Sequence, residues 1–278
     1  MISRNVIITG ATSGVGKALA LRVAQRKAKL IMFCRDKTKA ESTRNELIQK
    51  SHNEDIHIII ADLSSMESVK EAAARIKRTF PELYMLVNNA GCSVIKRTIT
   101  EEGIEKTFAS NYLGHYVLTM LLVDFMKVSA PSRIINVASQ AHTKIDFDNL
   151  SGEKKYNYFT AYKYSKAANI LFTFDLAEKL KDTGITVNCV HPGVVKSNIY
   201  DNIKGINKLL IKSIWPFFIT PEKSAEIIMP LLLSKDFRNI TGKYFVKGKA
   251  VCPKKGVDNI SDRMKLRELS EKLTKIKL

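Results

Sequence analysis

The chain has 278 residues, of which 45% are hydrophobic and 26% are charged, as is ordinary for a soluble globular protein. Its formal net charge of +18 would suit nucleic acid, an anionic membrane or an anionic ligand. The basic residues are spread along the chain without zinc-finger spacing or an aromatic RNA-binding box. We therefore expect the basic residues to form a solvated surface that does not bind nucleic acid. Nucleic-acid binding is the alternative, and only the net charge suggests it.

Cysteine usage and the start of the chain bear on the compartment. Cys34, Cys92, Cys189 and Cys252 lie far apart and show no metal-ligand spacing, so we expect no metal site. Two of them sit in apolar runs, as buried thiols do in a reducing compartment. No apolar run reaches the roughly 18 residues of a spanning helix, and the first predicted strand begins almost at residue 1. We expect no signal peptide and a cytoplasmic location.

Strand and helix patterns alternate along the chain without a linker rich in Pro, Gly or Ser, which predicts one domain over residues 1–278. Apolar runs predict buried strands at residues 6–8, 30–34, 56–60, 85–87, 133–137, 186–190 and 242–246. Helices are expected at residues 17–24, 37–49, 66–79, 102–128 and 160–181, from residue 221, and at the surface over residues 262–276. This alternation predicts an α/β fold, a Rossmann-type doubly wound parallel sheet whose ligands bind beyond the carboxyl ends of the strands.

The first strand runs into a loop with glycines at positions 10, 14 and 16, and a helix follows. Such a turn leaves unpaired backbone N–H groups at the positive end of the helix dipole, where phosphate binds. A second strand closes a βαβ unit of the length expected for dinucleotide binding, although a glycine turn in any α/β protein is the alternative. The predicted cofactor loop comprises Gly10, Thr12, Ser13, Gly14, Val15 and Gly16.

Tyr162 and Lys166 are four residues apart on a predicted helix and therefore share one face. A free tyrosine has a pKa of about 10, and a nearby ammonium favours the phenolate. Lowering that pKa by about 2 to 3 units takes roughly 3 to 4 kcal/mol, which a desolvated lysine and the charge of a bound cofactor could supply. Tyr162 could then exchange a proton with an alcohol or carbonyl oxygen. The tyrosines at positions 156, 158 and 164 have no lysine four residues on.

Several motifs occur in the order that is typical of short-chain dehydrogenases/reductases. They are Thr9-Gly10 with Gly14 and Gly16, Asn-Asn-Ala-Gly at residues 88–91, Ser139, Tyr162 with Lys166, and His-Pro-Gly at residues 191–193. The chain resembles this family over nearly its whole length. Residues 138–142, 149–153 and 164–172 are similar to its retinol dehydrogenase-like branch.

The resemblance implies a role for each matching residue. Tyr162 would be the catalytic acid/base, Lys166 would bind the nicotinamide ribose and lower the tyrosine pKa, and Ser139 would hydrogen-bond the reacting oxygen. Asn111 would hold a water that relays the proton. The cofactor would further contact Asp62 at its adenine with Leu63 beside it, Asn89, Ala90 and Gly91 under the adenosine ribose, and Pro192, Gly193, Val194 and Ser197 near the carboxamide and phosphates.

Arg35 and Asp36 follow the second strand, where the adenosine ribose of a dinucleotide is expected. An acidic side chain suits a free 2′-hydroxyl, whereas an arginine can bind a 2′-phosphate bidentately. Arg35 comes first, so NADP is favoured over NAD. Lys17, just inside the first helix, is expected to add positive charge.

Residues 194–220 follow the sixth strand and are expected to form a lid over the reaction site. Their apolar content favours a retinoid-, lipid- or steroid-like substrate, and a basic stripe leaves peripheral membrane contact through residues 204–219 open. A substrate helix that simply packs on the core is the alternative. The resemblance also implies a homodimer through the helices around Leu113 and Ile170.

The predicted function is an NADP-dependent oxidoreductase that interconverts an alcohol and an aldehyde or ketone on an apolar substrate. The alternative is a non-catalytic dinucleotide sensor or scaffold.

Overall fold

The computed structural model describes residues 4–195 and 218–277. Within these ranges the strands form one eight-stranded sheet in the order β3-β2-β1-β4-β5-β6-β7-β8, parallel except for the antiparallel pair of β7 and β8. The strands are β1 (Asn5–Thr9), β2 (Lys29–Cys34), β3 (Ile56–Ile60), β4 (Met85–Asn88), β5 (Ser132–Val137), β6 (Ile185–His191), β7 (Tyr244–Val246) and β8 (Lys249–Val251).

Helices cover both faces of the sheet. They are α1 (Gly14–Gln25), α2 (Lys37–Ser51), α3 (Met66–Thr79), the short α4 (Lys106–Phe108), α5 (Gly114–Val128), α6 (Tyr158–Lys179), α7 (Pro221–Leu233) and α8 (Ile260–Thr274). One core cluster packs α1, α2 and α7 on one face, and a second packs α3, α5, α6 and α8 on the other. The predicted single-domain, doubly wound α/β fold is therefore confirmed.

The strand order reverses at β1. From β1 the sheet extends through β2 and β3 on one side, and β4 pairs with β1 on the other. At such a switch point the loops after neighbouring strands diverge to opposite faces and open a crevice at the carboxyl ends of the strands. The fold thus places a ligand crevice above β1.

Side chains cap the first turn of most of the longer helices. Asp36, Ser65, Asn157, Thr220 and Asn259 each accept a backbone N–H at the start of α2, α3, α6, α7 and α8, respectively. At the start of α1, Ser13 makes no such side-chain hydrogen bond. The helix that faces the crevice therefore begins with its N–H groups open.

Most predicted bounds differ from the structure by one to three residues, and contacts in the structure explain two of the differences. The helix expected over residues 102–128 begins at residue 106, because Glu105 bridges Ile99 in extended conformation and its carboxylate accepts the N–H groups of Thr107 and Phe108. The strand expected at 242–246 is shorter, and a hairpin adds β8. Lys247 and Gly248, at φ of 51° and 77°, form the two-residue turn that joins β7 to β8.

The C-terminal helix was expected at the surface, and most residues of α8 are indeed exposed or partly exposed, while its other face packs on α6. Leu266 is 1% exposed, the Ser270 Oγ lies 2.7 Å from the Tyr112 hydroxyl, and Arg267 pairs with Asp175 at 3.0 Å. The sequence of α8 does not indicate this packing, because polar side chains occupy much of the face that contacts α6.

The predicted homodimer stays a prediction. Leu113 and Ile170 are 1% and 0% exposed within the single chain, so they are core residues. Across residues 4–195 and 218–277, no helix is both long and apolar enough to cross a bilayer.

The packing of α8 can be tested by truncating its buried leucine. We expect Leu266→Ala to lower the free energy of unfolding by about 2 to 5 kcal/mol, because it leaves a cavity in a close-packed core. Met264→Ala, at a position of the same helix that is 46% exposed, is the matched control and should change it by about 0.5 kcal/mol or less. Denaturant unfolding measures both, and equal effects would contradict the packing.

Candidate active site

One cavity of about 1010 Å³ lies beyond the carboxyl ends of β1, β4, β5 and β6. It runs from the glycine loop to the start of α6. The predicted site residues that line it are Gly10, Thr12, Ser13, Gly14, Val15, Gly16, Arg35, Asp62, Leu63, Asn89, Ala90, Gly91, Ser139, Tyr162, Lys166, Pro192, Gly193 and Val194.

The glycine loop lies against the end of β4, and two of its glycines have no room for a side chain. Gly10 has φ +68°, and a Cβ there would lie 2.9 Å from the Ala90 Cα. A Cβ on Gly16 would lie 2.2 Å from the carbonyl oxygen of Gly10. Gly14 also has a positive φ, of +50°, but open space around it. These contacts let the loop turn tightly beneath a ligand.

Thr9 fixes this loop to the neighbouring strand. Its Oγ accepts the backbone N–H groups of Asn89 at 2.8 Å and Ala90 at 2.9 Å, while the Asn89 amide donates to the Thr9 carbonyl at 2.8 Å. Thr9 is therefore a site residue that sequence reasoning quoted only as part of a motif. The open start of α1 beside this junction fits the pyrophosphate of a dinucleotide, because N–H groups and the positive helix end face the cavity.

The residues after β2 form the far end of the cavity. Arg35, Asp36 and Lys39 line it. The Asp36 carboxylate caps α2 by accepting the Lys39 backbone N–H at 2.9 Å, so it is oriented towards the helix. Sequence reasoning missed Lys39, although its spacing of four residues from Arg35 was a readable signal. Lys17, which was expected to add positive charge, forms a salt bridge with Glu46 and is not among the residues that line the cavity.

Asp62 and Leu63 follow β3 on the same side. One Asp62 carboxylate oxygen accepts both the N–H and the hydroxyl of Ser64 at 2.8 Å, which closes a local turn. The backbone of Leu63 presses on α5, since a Cβ on Gly114 would lie 2.1 Å from the Leu63 carbonyl oxygen. Both residues are therefore held rigidly at the cavity wall.

Lys166 is the buried cation of the site, at 4% exposure. Its Nζ donates to the carbonyl of Val137 at 2.8 Å and lies 5.7 Å from the centre of the Tyr162 ring. Burial lowers the pKa of this ammonium to about 8, although the nearby Cys92 thiol has an opposing effect. The lysine is therefore mostly charged at neutral pH and loses its proton as the pH rises through about 8.

Ser139 follows β5 and lies on the same cavity as Tyr162. Its Oγ accepts the backbone N–H of Ala141 at 3.0 Å, which directs the hydroxyl proton elsewhere. The hydroxyl can then donate to an oxygen of a ligand. Tyr162 lies one helical turn before Lys166, and both residues line the cavity together with Ser139. Their catalytic roles stay predictions.

Asn111 does not line the cavity and is 0% exposed. It lies in a π-helical turn (Ala109–Leu113), and its side chain holds the backbone of Cys92 through two hydrogen bonds of 2.7 and 2.9 Å. Its carbonyl oxygen contacts the His115 Nδ1 at 3.0 Å and the Asn169 amide at 3.2 Å. The structure thus shows Asn111 bracing the loop after β4, and its predicted water relay stays a prediction.

The loop after β6 closes the cavity beside α7. The Ser224 hydroxyl donates to the Pro192 carbonyl at 2.7 Å, and Gly193 adopts φ +92°. Three predictions fall largely outside the described residues. They are the cofactor contact of Ser197, the lid at residues 194–220, and the membrane contact that was left open for residues 204–219.

The cavity lining also includes apolar side chains. Phe159 and Val194 line the cavity and are 47% and 42% exposed, and Val195 and Phe218 line it as well. Ser93 and Gln140 add polar groups to the lining. The lining therefore offers both apolar contacts and hydrogen-bonding groups.

Comparison with known proteins places these features in a family. The family model described as short chain dehydrogenase matches residues 4–205. The chain is 37% identical to retinol dehydrogenase 13 of Homo sapiens over 94% of this chain and 82% of that protein. The chain therefore belongs to the short-chain dehydrogenase family of oxidoreductases and is similar to its retinol dehydrogenases.

Solved structures with this fold bind dinucleotides. A 3-ketoacyl-(acyl-carrier-protein) reductase of Brucella melitensis complexed with NADH is 25% identical, with a TM-score of 0.69 over 87% of this chain and 95% of that chain. The RhlG/NADP active-site complex of Pseudomonas aeruginosa is also 25% identical, with a TM-score of 0.71 over 88% of this chain and 95% of that chain. Both nicotinamide cofactors thus occur among its structural neighbours.

The buried charge on Lys166 should appear in the pH dependence of stability without cofactor. Its folded pKa of about 8 lies below the unfolded value, so the unfolded state binds more protons between these values and folding strengthens as pH rises through them. We expect the free energy of unfolding of the wild type, relative to Lys166→Met, to rise by about 2 kcal/mol between pH 7.5 and 10.

Denaturant unfolding at the two pH values gives this difference. Lys179→Met removes an exposed ammonium from the same helix, and its difference from the wild type should stay constant. A constant difference for Lys166→Met as well would contradict a buried charged lysine.

Proposed function

We propose that this protein is an NADP-dependent oxidoreductase that interconverts an alcohol and an aldehyde or ketone on an apolar, retinoid-, lipid- or steroid-like substrate. The observation that carries the proposal is one cavity that joins the open start of α1 to Ser139, Tyr162 and Lys166. The first part fits a dinucleotide, and the second provides proton exchange and hydrogen bonding at a reacting oxygen.

The residues would act on the substrate oxygen as follows. A bound nicotinamide cofactor would supply the hydride chemistry at the carbonyl or alcohol carbon. Tyr162 gives its hydroxyl proton to the carbonyl oxygen during reduction and takes that proton back during oxidation. Lys166 holds positive charge beside the phenol and favours its ionised form. The Ser139 hydroxyl donates a hydrogen bond that strengthens as negative charge develops on the oxygen.

The preference for NADP is supported by the charges after β2. Arg35 and Lys39 place two cations on the cavity wall, where the adenosine ribose would lie. The Asp36 carboxylate, which could otherwise receive a free 2′-hydroxyl, is hydrogen-bonded to the start of α2. The Asp36 carboxylate also lies 3.9 Å from the Lys39 ammonium, so a 2′-phosphate would meet the Arg35 guanidinium and a lysine that balances this carboxylate.

Replacement of the phenol separates proton exchange from cofactor binding. We expect Tyr162→Phe to lower kcat by about 100- to 10,000-fold and to leave the Kd for NADPH unchanged, because only the proton donor is lost. NADPH oxidation with all-trans-retinal and other apolar aldehydes and ketones measures the first, and fluorescence titration measures the second. The matched control is Tyr164→Phe, a phenol two residues on that packs on the core outside the cavity lining.

Turnover retained by Tyr162→Phe would contradict the proposed mechanism. If the wild-type protein binds NADPH but oxidises it with none of these carbonyl compounds, the alternative function, a non-catalytic dinucleotide sensor or scaffold, would be favoured.

Removal of the first cation after β2 tests the cofactor preference. We expect Arg35→Ala to raise the Kd for NADPH by about 10- to 100-fold, since a charge-assisted hydrogen bond to phosphate is worth about 1.5 to 3 kcal/mol. The Kd for NADH should stay unchanged. Lys37→Ala, which removes a neighbouring exposed cation outside the cavity lining, is the control. Equal weakening of both cofactors by Arg35→Ala would argue against recognition of a 2′-phosphate.

A further inference from the structure

His142 lies three residues after Ser139 and is 2% exposed, which is unusual for an ionisable residue in a loop. Its ring packs edge-on against Tyr244 of β7, with 5.5 Å between the ring centres. His142 is therefore part of the packed structure behind the reaction site, and it is absent from the cavity lining.

Both ring nitrogens of His142 bind backbone groups. The Nε2 lies 3.0 Å from the backbone nitrogen of Lys254, and a backbone N–H can only donate, so Nε2 accepts. The proton of the neutral ring then sits on Nδ1, which donates to the Ser139 carbonyl at 2.6 Å. The contacts therefore define the tautomer. Burial, together with the charge of Lys254, lowers the pKa of His142, although the Ser139 hydrogen bond opposes this, and the neutral form is favoured.

The second partner of His142 belongs to a segment that sequence analysis left without a role. We call residues 252–257 the C-terminal strap. The Val257 N–H donates to the Lys254 carbonyl at 3.0 Å, and Val257 is 1% exposed, so the strap is anchored in the core. We call residues 139–142 the serine loop. His142 thus joins the strap to this loop across 112 positions of sequence.

The remaining hydrogen bonds of the serine loop do not reach the strap. The Ala141 N–H donates to the Ser139 Oγ at 3.0 Å, and the Gln140 N–H donates to the His191 Nδ1 at 3.3 Å. The first is internal to the loop, and the second connects it to the end of β6. The Ser139 carbonyl, by contrast, is fixed through His142 alone among the contacts of the described residues.

We propose that His142 is a positioning residue that uses the C-terminal strap to hold Ser139 in place for the reaction. The inference rests on the proposed function. Because both ring nitrogens are engaged and the ring lies outside the cavity, His142 does not itself exchange a proton with substrate. It sets the direction of the serine hydroxyl by fixing the carbonyl of the same residue. A displacement of about 1 Å at such a group can lower a rate by about 100-fold.

Three substitutions separate the two hydrogen bonds. In His142→Asn the amide nitrogen can replace Nδ1 and donate to the Ser139 carbonyl. In His142→Gln the amide oxygen can replace Nε2 and accept from Lys254. His142→Phe keeps the ring against Tyr244 and makes neither bond. We expect His142→Phe to lower kcat by about 10- to 100-fold with an unchanged Kd for NADPH, and His142→Asn to recover most of that loss.

A double-mutant cycle with Ser139→Ala shows whether His142 acts through the serine. In the Ser139→Ala background, His142→Phe should lower kcat by less than about 3-fold, because the hydroxyl that it positions is already gone. The full loss in both backgrounds, or wild-type kcat in His142→Phe, would overturn the proposal. If His142→Phe does not fold, as judged by circular dichroism, the same cycle is run with His142→Gln, for which a loss of kcat is expected.

Amide hydrogen exchange tests the strap without reference to activity. We expect faster exchange at Lys254 in His142→Phe and in His142→Asn, and wild-type protection in His142→Gln. Unchanged protection in all three would overturn the link between His142 and the strap. A wild-type protein that turns over no carbonyl compound would refute the proposed function, and with it the catalytic part of this inference, while exchange at Lys254 would still decide whether the link exists.

Discussion

The buried ammonium of Lys166 is the constraint on which the site depends. Within the chain it donates to the carbonyl of Val137, at the end of β5, and burial lowers its pKa. A charged group in such surroundings is unfavourable for folding unless charged partners approach it. A ligand with polar groups at this point and an ionised Tyr162 would provide them. The buried position of the lysine therefore lowers the stability of the fold, and a role in binding or catalysis would explain it.

A second feature that is unfavourable for the fold lies at the other end of the same cavity. The start of α1 has no side-chain cap, whereas Asp36 and Ser65 cap the next two helices along the chain. Open N–H groups attract a phosphate and gain their hydrogen bonds from it. The parallel sheet explains how both features share one cavity, because all of its neighbouring strands end at the same edge and the chain reverses at β1.

Most of the fold could be predicted from the sequence because buried parallel strands are apolar and their helices have regular patterns. The predicted bounds of α3 match the structure, with Ser65 as its cap. Tyr162 and Lys166 could be paired because helical spacing alone places them on one face. The glycine loop could be recognised because it lies between a strand and a helix, and its close contact with Ala90 is what requires glycine at position 10.

Other features depend on contacts between residues that are distant in sequence. The packed face of α8 could not be read from its composition, since Ser270 and Thr274 are polar residues that form hydrogen bonds on that face. Lys17 was expected to add positive charge from its position alone, and its pairing with Glu46 is visible only in three dimensions. The contacts of His142 join segments that have no shared pattern. Sequence therefore indicates which groups line the cavity better than it indicates what holds those groups in place.

The central claim is that Tyr162 and Lys166 face the reactive end of a bound dinucleotide. A crystal structure of the protein with NADPH tests it most directly. We predict that the nicotinamide ribose contacts the Lys166 ammonium and that the Tyr162 hydroxyl faces the nicotinamide ring. A nicotinamide bound away from Lys166, or a Tyr162 hydroxyl directed into the core, would contradict the account.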